Sequence, residues 1–408
     1  MHPADELGTR GPVTLGPLDI AAGMMIGDDP AVVALDAGDP ISPRQALRTL
    51  VLRALECPPC LVSFSGGRDS SAMLAVAVDE ARRHGLPLPI PITARFPGIE
   101  ETEEAAWQES MLEHLGLDDW TRVDITDELD AVGPVAATVL RRHGVVYPYN
   151  THFHVPLFER ASGGSLITGA AGDELMTPLL WGLVARLLYG FDRVRRPADV
   201  ARILIAKGPR SVRRRAVAHR LGIEGLPWLR PDVDRRVRRH AVAWYADQPF
   251  RFDDALLQWW WRSKYLQYGR TSLTLVAADH DVVVYEPFSD PLLIRAMAQR
   301  GGITGFPSRA AAMEDLFGDL LPPATTKRES KALFTEVLFN RHSRAFATGW
   351  TGTGVPDDLV DPSRLRDAWL APEGDCRTLL LMQSAWLAEQ RGEDATGGEA
   401  KAPAADSQ

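Results

Sequence analysis

The stretch Cys60-Leu61-Val62-Ser63-Phe64-Ser65-Gly66-Gly67-Arg68-Asp69-Ser70-Ser71 decides the fold. Cys60 to Phe64 is a short apolar run that reads as a buried strand. Ser70 to His84 carries Met73, Val76, Ala77 and Glu80 at helical spacing, and Gly85 ends that helix. A strand, a glycine turn and a helix together present unpaired backbone N–H groups and a helix dipole to an anion. Two successive glycines let the backbone approach phosphate oxygens without a Cβ in the way, and Ser65 and Ser70 add hydroxyl donors. Asp69 would be repelled by a bare phosphate, so its presence suggests a bridging Mg2+ with oxygen ligands. No G-x-x-x-x-G-K-[ST] follows, so this is not the usual P-loop of kinases and GTPases. The plainer alternative is a tight turn that happens to carry Gly-Gly between Ser and Asp caps.

Working outward, Ser42-Pro43-Arg44-Gln45 has the form of a capping box with Pro at the first helical position. It opens an apolar-periodic run through Leu47, Leu50, Val51, Ala54 and Leu55, which Pro58-Pro59 stops. Downstream, Ile90 to Phe96 is strand-like and Thr102 to Leu115 helical up to Gly116. Thr121 to Ile125 is a third strand candidate, followed by helical segments across Glu128–Arg142 and Thr151–Ala161, and Ser165-Leu166-Ile167-Thr168 is a fourth. Strands alternating with helices predict an α/β fold with a doubly wound parallel sheet. Ligands of such sheets bind beyond the carboxyl ends of the strands, which points to the segments after Phe64, Ala94 and Thr168. From Met176 the pattern turns mainly helical. The predicted organisation is a short N-terminal extension over 1–40, one main domain over 41–390 and a disordered tail over 391–408.

The bulk numbers set outer limits. A chain of 408 residues has ample core, and its net charge of -9 argues against general nucleic-acid binding. Three cysteines, Cys57, Cys60 and Cys376, cannot build a disulfide framework. The start Met1-His2-Pro3-Ala4-Asp5-Glu6 lacks a signal-peptide pattern, and no apolar run approaches the roughly 20 residues of a membrane span. A cytoplasmic protein without a membrane partner is the expectation.

Ser65-Gly66-Gly67-Arg68-Asp69-Ser70 resembles the SGGxDS signature of ATP-pyrophosphatases, which cleave ATP between its α- and β-phosphates and adenylate a substrate. Thr168-Gly169-Ala170-Ala171-Gly172-Asp173-Glu174-Leu175 is similar to the second loop of the asparagine synthetase C-terminal domain, with its adenine nucleotide alpha hydrolase-like fold. The resemblance implies that Asp173 joins Asp69 as a Mg2+ ligand. It further implies that Ser65, Gly66, Gly67, Ser70 and Gly169 cradle the nucleotide, and that Ile92–Arg95 lines the adenine pocket. Glu286-Pro287-Phe288-Ser289-Asp290 resembles the R-x-PFLD stretch of that domain, with Glu in place of Arg before the proline, and reads as structural. Lys327-Arg328-Glu329-Ser330-Lys331, after Leu321-Pro322-Pro323, resembles the essential-lysine segment of β-lactam synthetases and lasso-peptide cyclases, the R-x-x-K spacing being closest to the cyclases. By that match Lys331, with Arg328 and with Lys327 as fallback, stabilises the charge that develops at phosphorus or at the reacting carbonyl.

Two departures narrow the expectation. The glutamine-using relatives begin with a glutaminase-type domain and a Cys after Met1, whereas this chain has His2 and only residues 1–40 there. The amine must then come as free ammonia, from a separate peptide- or amine-supplying protein, or from the substrate itself. Ala170 stands where asparagine synthetase has Glu and β-lactam synthetase has Tyr, and a methyl group can neither bind ammonia nor act as a base.

Other signals read as architecture. Cys57-Pro58-Pro59-Cys60 has no second pair to make a zinc site. His152-Phe153-His154 is a helix start, with substrate binding as the alternative. Glu100, Glu101, Glu103 and Glu104 charge a helix N-terminus, the Arg193–Arg239 stretch forms solvated helix faces or docks an acidic peptide, and Trp259-Trp260-Trp261 is core. The expected function is an ATP- and Mg2+-dependent synthetase joining a small-molecule or peptide carboxylate to an amine. A tRNA-modifying relative and a silent nucleotide-binding protein are the rivals.

Overall fold

The computed structural model describes residues 13–177, 180–189, 196–222, 224–326, 328 and 333–399. Lys327 and Lys331 lie outside the described residues.

The α/β half begins with α1 (Pro17–Ala22) and α2 (Pro43–Leu55). Ser42 caps α2, its Oγ accepting from the Gln45 amide at 3.2 Å, with Pro43 at the first helical position. Then come β1 (Cys60–Ser63), α3 (Arg68–His84), β2 (Ile90–Arg95), α4 (Ala105–Leu115) and β3 (Thr121–Asp124). They are followed by α5 (Pro134–His143), α6 (Val155–Ala161), β4 (Ser165–Ile167) and α7 (Gly172–Met176). Gly85 and Gly116 end α3 and α4 in the left-handed conformation, at φ +65° and +59°, where a side chain would be strained. A fifth strand, β5 (Val283–Tyr285), arrives after the helical insertion.

The five strands form one parallel sheet in the order β3-β2-β1-β4-β5. β1 is central, with Val62 beside Pro91 on one side and Ile167 on the other. Leu61, Val62, Leu166 and Ile167 are buried on both faces of the sheet, and each such side chain contributes about 1.5–3 kcal/mol. The strand order reverses between β1 and β4, which makes their carboxyl ends the topological switch point.

Three starts differ from the sequence expectation, the simplest being α6, which begins at Val155 after a 3-10 turn over Thr151–His154. The helix expected from Glu128 begins only at Pro134, because Asp130 is buried and its carboxylate accepts from the amides of Val132, Asn340 and Ser343. The helix expected from Thr102 begins at Ala105, after a 3-10 turn over Glu100–Thr102.

The second half is helical, and a second core forms there around Trp228, Trp350 and Trp369. The N-terminal segment belongs to that core: Ala21 and Ala22 are buried in it, and Trp228 Nε1 donates to the Ala21 carbonyl at 2.9 Å. Trp260 is buried, while Trp259 stacks on Trp244 with centroids 4.1 Å apart. The arginines of the helices Arg210–Leu221 and Pro231–Ala246 are largely exposed or half-buried. The last helix runs Leu379–Glu399, so the start of the tail that composition predicts to be disordered from Arg391 is helical; 400–408 lie outside the described residues. Among the described residues no helix is long and apolar enough to cross a membrane.

Candidate active site

Both loops that carry the sequence motifs emerge at the switch point. After β1, the Phe64 amide donates to the Ile92 carbonyl at 2.8 Å, keeping the chain in the sheet until the glycines. Gly66 then takes φ +80°, and Gly67 precedes the first turn of α3. The hydroxyls of Ser65 and Ser70 lie 3.1 Å apart. Ser70 Oγ donates to the Gly67 carbonyl at 3.1 Å, and the Gly67 amide donates to Ser65 Oγ at 3.3 Å. The two serines that the motif offers as phosphate donors therefore also shape the turn. Asp69 sits in the first turn of α3, beside the positive end of the helix dipole.

The loop after β4 is built by close approach. A Cβ on Gly169 would stand 2.8 Å from the Ser70 amide nitrogen, and one on Gly172 would stand 2.5 Å from the Asp69 carboxyl carbon. Backbone leaves room only for glycine at 169, and at 172 a Cβ would displace the Asp69 carboxylate. Ala171, between them, sits in the left-handed region at φ +66°, an uncommon conformation for a residue with a side chain. The loop thus lies directly on Asp69, and Asp173 follows at the start of α7.

The two carboxylates are joined by a residue that the motifs did not reveal. Arg309 Nη2 donates to both oxygens of Asp69, at 2.8 and 2.7 Å, and Nη1 pairs with Asp173 Oδ1. The Asp69 and Arg309 side chains are only 16% and 18% exposed. Burial pushes the Asp69 pKa up, while Arg309 and Arg68 pull it down. Two carboxylates from two loops already share one cationic centre, and hard oxygen donors of this kind fit Mg2+.

Arg328 reaches the first loop from behind. Its guanidinium donates to the Gly66 carbonyl at 2.7 Å, pairs with Glu104 and lies 4.8 Å over the Trp107 ring. Gln108 Nε2 donates to the Ser65 carbonyl at 3.1 Å. The N-terminal turns of α4 and Arg328 therefore clamp the glycine turn between them. Of the Ile92–Arg95 strand, Ile92 and Thr93 are buried, and Thr93 Oγ1 donates to the Phe64 carbonyl.

This arrangement has a match among known families: the model for asparagine synthase covers residues 44–387. The chain belongs to the asparagine synthase family. The family model spans both loops, Arg309 and Arg328, and most of the helical half. Asparagine synthase family members are ATP-dependent amide-bond-forming ligases, and they use ATP, usually with Mg2+. No curated protein matches the chain.

The remaining candidates are placed as follows. Asp290 caps the helix Pro291–Gly301, its carboxylate accepting from the Leu292 amide at 2.8 Å. His152 is buried, its Nε2 donates to the Leu129 carbonyl at 3.0 Å, and burial depresses its pKa to about 4. His154 stacks on Phe158 with centroids 5.9 Å apart. Cys57 and Cys60 are free thiols, and burial pushes Cys60 up to about 11. Glu103 Oε1 accepts from the Ala105 amide at 2.9 Å, the helix-start role expected of this acidic run. Sequence reasoning missed Arg309 and Glu104 as site residues. Glu104 carried a signal in its acidic run, whereas Arg309, in the unremarkable context Pro307-Ser308-Arg309-Ala310, carried none.

Proposed function

We propose that this chain activates a carboxylate as an acyl-adenylate, releasing pyrophosphate, and passes the acyl group to an amine. The natural setting in this reading is natural-product or modified-peptide biosynthesis, with macrolactam formation as one variant. The observation that carries the reading is the meeting of Asp69 and Asp173 at the switch point, directly beside a glycine turn at a helix N-terminus.

In this mechanism Asp69 and Asp173 hold Mg2+, which neutralises charge on the phosphate oxygens when bound. Ser65, Gly66, Gly67, Ser70 and Gly169 form the cradle for the departing pyrophosphate. The amides of the turn and the α3 dipole favour that anion. The residues Ile92–Arg95, at the end of β2, line the adenine side. Lys331 stabilises the negative charge that builds on the reacting carbonyl and the α-phosphate. Arg328 is assigned to positioning, since its guanidinium is engaged by Gly66 and Glu104. Ala170 supplies no base, so the amine is deprotonated by another group or attacks as the free amine.

The test is pyrophosphate–ATP exchange with Mg2+ across pooled carboxylic acids and peptides, with Asp69→Ala as control. Exchange that depends on one pool and falls by at least about 1,000-fold in Asp69→Ala is expected. ATP binding without exchange in any pool, including pools supplemented with candidate peptide-supplying proteins, would overturn the reading in favour of a silent nucleotide-binding protein.

A further inference from the structure

We infer that Arg309 and a divalent cation are alternative partners of the Asp69–Asp173 pair, so that Arg309 makes metal binding conditional on nucleotide. The inference rests on the part of the proposed function that gives these carboxylates to a metal ion. Three observations carry it.

The first is that the guanidinium occupies the very atoms a metal would need. Its Nη2 engages both Asp69 oxygens at 2.8 and 2.7 Å, and its Nη1 engages Asp173 Oδ1. A divalent ion on the same oxygens would lie against a full positive charge in a largely buried site. At about 4 Å and an effective dielectric constant of about 20, each pair of unit charges repels by about 4 kcal/mol. A doubly charged ion makes that repulsion larger still, so guanidinium and metal exclude each other.

The second concerns the remaining edge of the guanidinium, which lies away from the carboxylates. Its Nε is buried without a hydrogen-bond partner, so that edge of the guanidinium adds nothing to its retention. The third is that its backbone is fixed whatever the side chain does. Arg309 is the first residue of the helix Arg309–Phe317, whose cap Ser308 accepts from the Ala311 amide at 3.1 Å. Displacing the side chain therefore leaves the helix in place. A triphosphate entering with its own cation brings new anionic partners for the released guanidinium, whereas a free cation brings none. Metal alone is thereby disfavoured, and metal with nucleotide is accepted.

The experiment is equilibrium Mn2+ binding, followed by electron paramagnetic resonance without nucleotide, for wild type, Arg309→Gln, Arg309→Lys and the double variant Arg309→Gln/Asp173→Asn. Arg309→Gln is expected to bind Mn2+ at least about tenfold more tightly than wild type, a modest fraction of the repulsion removed. Arg309→Lys should stay near wild type, and the double variant should lose the gain. Arg309→Met serves the same purpose if circular dichroism finds Arg309→Gln unfolded. Mn2+ affinity in Arg309→Gln no higher than wild type, or a gain that survives Asp173→Asn, would overturn the inference. Neither result depends on a carboxylate substrate, so a failure of pyrophosphate exchange counts against the adenylation reading and leaves this one standing.

Discussion

The loop after β1 and the loop after β4 meet at one point but keep their shapes by different balances of polar and steric contact. The first is held by polar contacts: two serine hydroxyls within the turn, Gln108 on the Ser65 carbonyl, and Arg328 on the Gly66 carbonyl with Glu104 as its counter-charge. The second is held by close approach, with Gly169 against the Ser70 and Asp69 backbone and Gly172 against the Asp69 carboxylate. A polar scaffold can shift and re-form when an anion enters the turn. A steric one cannot, because hard contacts have no slack. The pair therefore reads as an adaptable cradle set against a rigid wall, with Asp69 at the seam.

The largest expected effect removes the support of the first loop. Arg328→Ala leaves the Glu104 carboxylate, only 12% exposed, without its cation. Breaking a buried pair from one side costs about 3–5 kcal/mol, and urea denaturation should give a loss in that range. A loss below about 1 kcal/mol, the level of an exposed ion pair, would mean that the loop holds itself and that the contrast between the two loops is false.

The second expected effect tests the rigid wall. Gly172→Ala places a methyl 2.5–2.9 Å from the Asp69 carboxylate atoms, so either the carboxylate or the loop must move. Displacement of a site group by about 1 Å costs on the order of 100-fold in rate. The exchange assay should register such a fall while circular dichroism stays unchanged. Near-full activity would make the second loop the softer of the two.

How much of this was legible in the sequence follows the same division. The strands and the two loops were visible because buried parallel strands read as short apolar runs and because glycines mark turns locally. Cys60–Ser63, Ile90–Arg95, Thr121–Asp124 and Ser165–Ile167 all fall inside the expected runs. Relations across the chain were not visible. Arg309 lies 240 positions from Asp69, and no periodicity or spacing links them. The late start of α5 has the same origin, because the buried Asp130 is satisfied by Asn340 and Ser343, more than two hundred residues on. A resemblance singled out Asp69 and Asp173 as a pair, yet it could not reveal that a guanidinium stands between them.

The strand neighbouring the rigid wall offers a smaller test, dependent on pH. Glu286 directly follows β5, and burial pushes its carboxyl up to about 7 against the pull of Arg270. The folded protein then binds this proton more tightly than the unfolded chain, so stability falls as pH rises from the ordinary carboxylate range to about 7 and is level above it. Glu286→Gln removes that slope. It should be more stable than wild type by about 3 kcal/mol at pH 8 and show little or no advantage at pH 4. Parallel urea midpoints at the two pH values check the sign. An equal shift at both would mean that folding leaves the Glu286 pKa unchanged.

The smallest effect isolates the strain inside the wall. Ala171 is held at φ +66° between two glycines that cannot move away from Ser70 and Asp69. A left-handed residue with a Cβ costs about 1 kcal/mol relative to glycine. Ala171→Gly should relieve this and raise stability, but by less than that amount, because the extra glycine also gives the unfolded chain more conformations to lose. The measurement that matters is the sign of the urea midpoint shift alongside the exchange rate. A rise in stability with unchanged exchange says that Gly169 and Gly172 alone fix the loop against Asp69. A rise accompanied by slower exchange says that the alanine supplies stiffness the site uses, which sharpens the contrast, since the loop after β1 has no side-chain-bearing residue in that conformation.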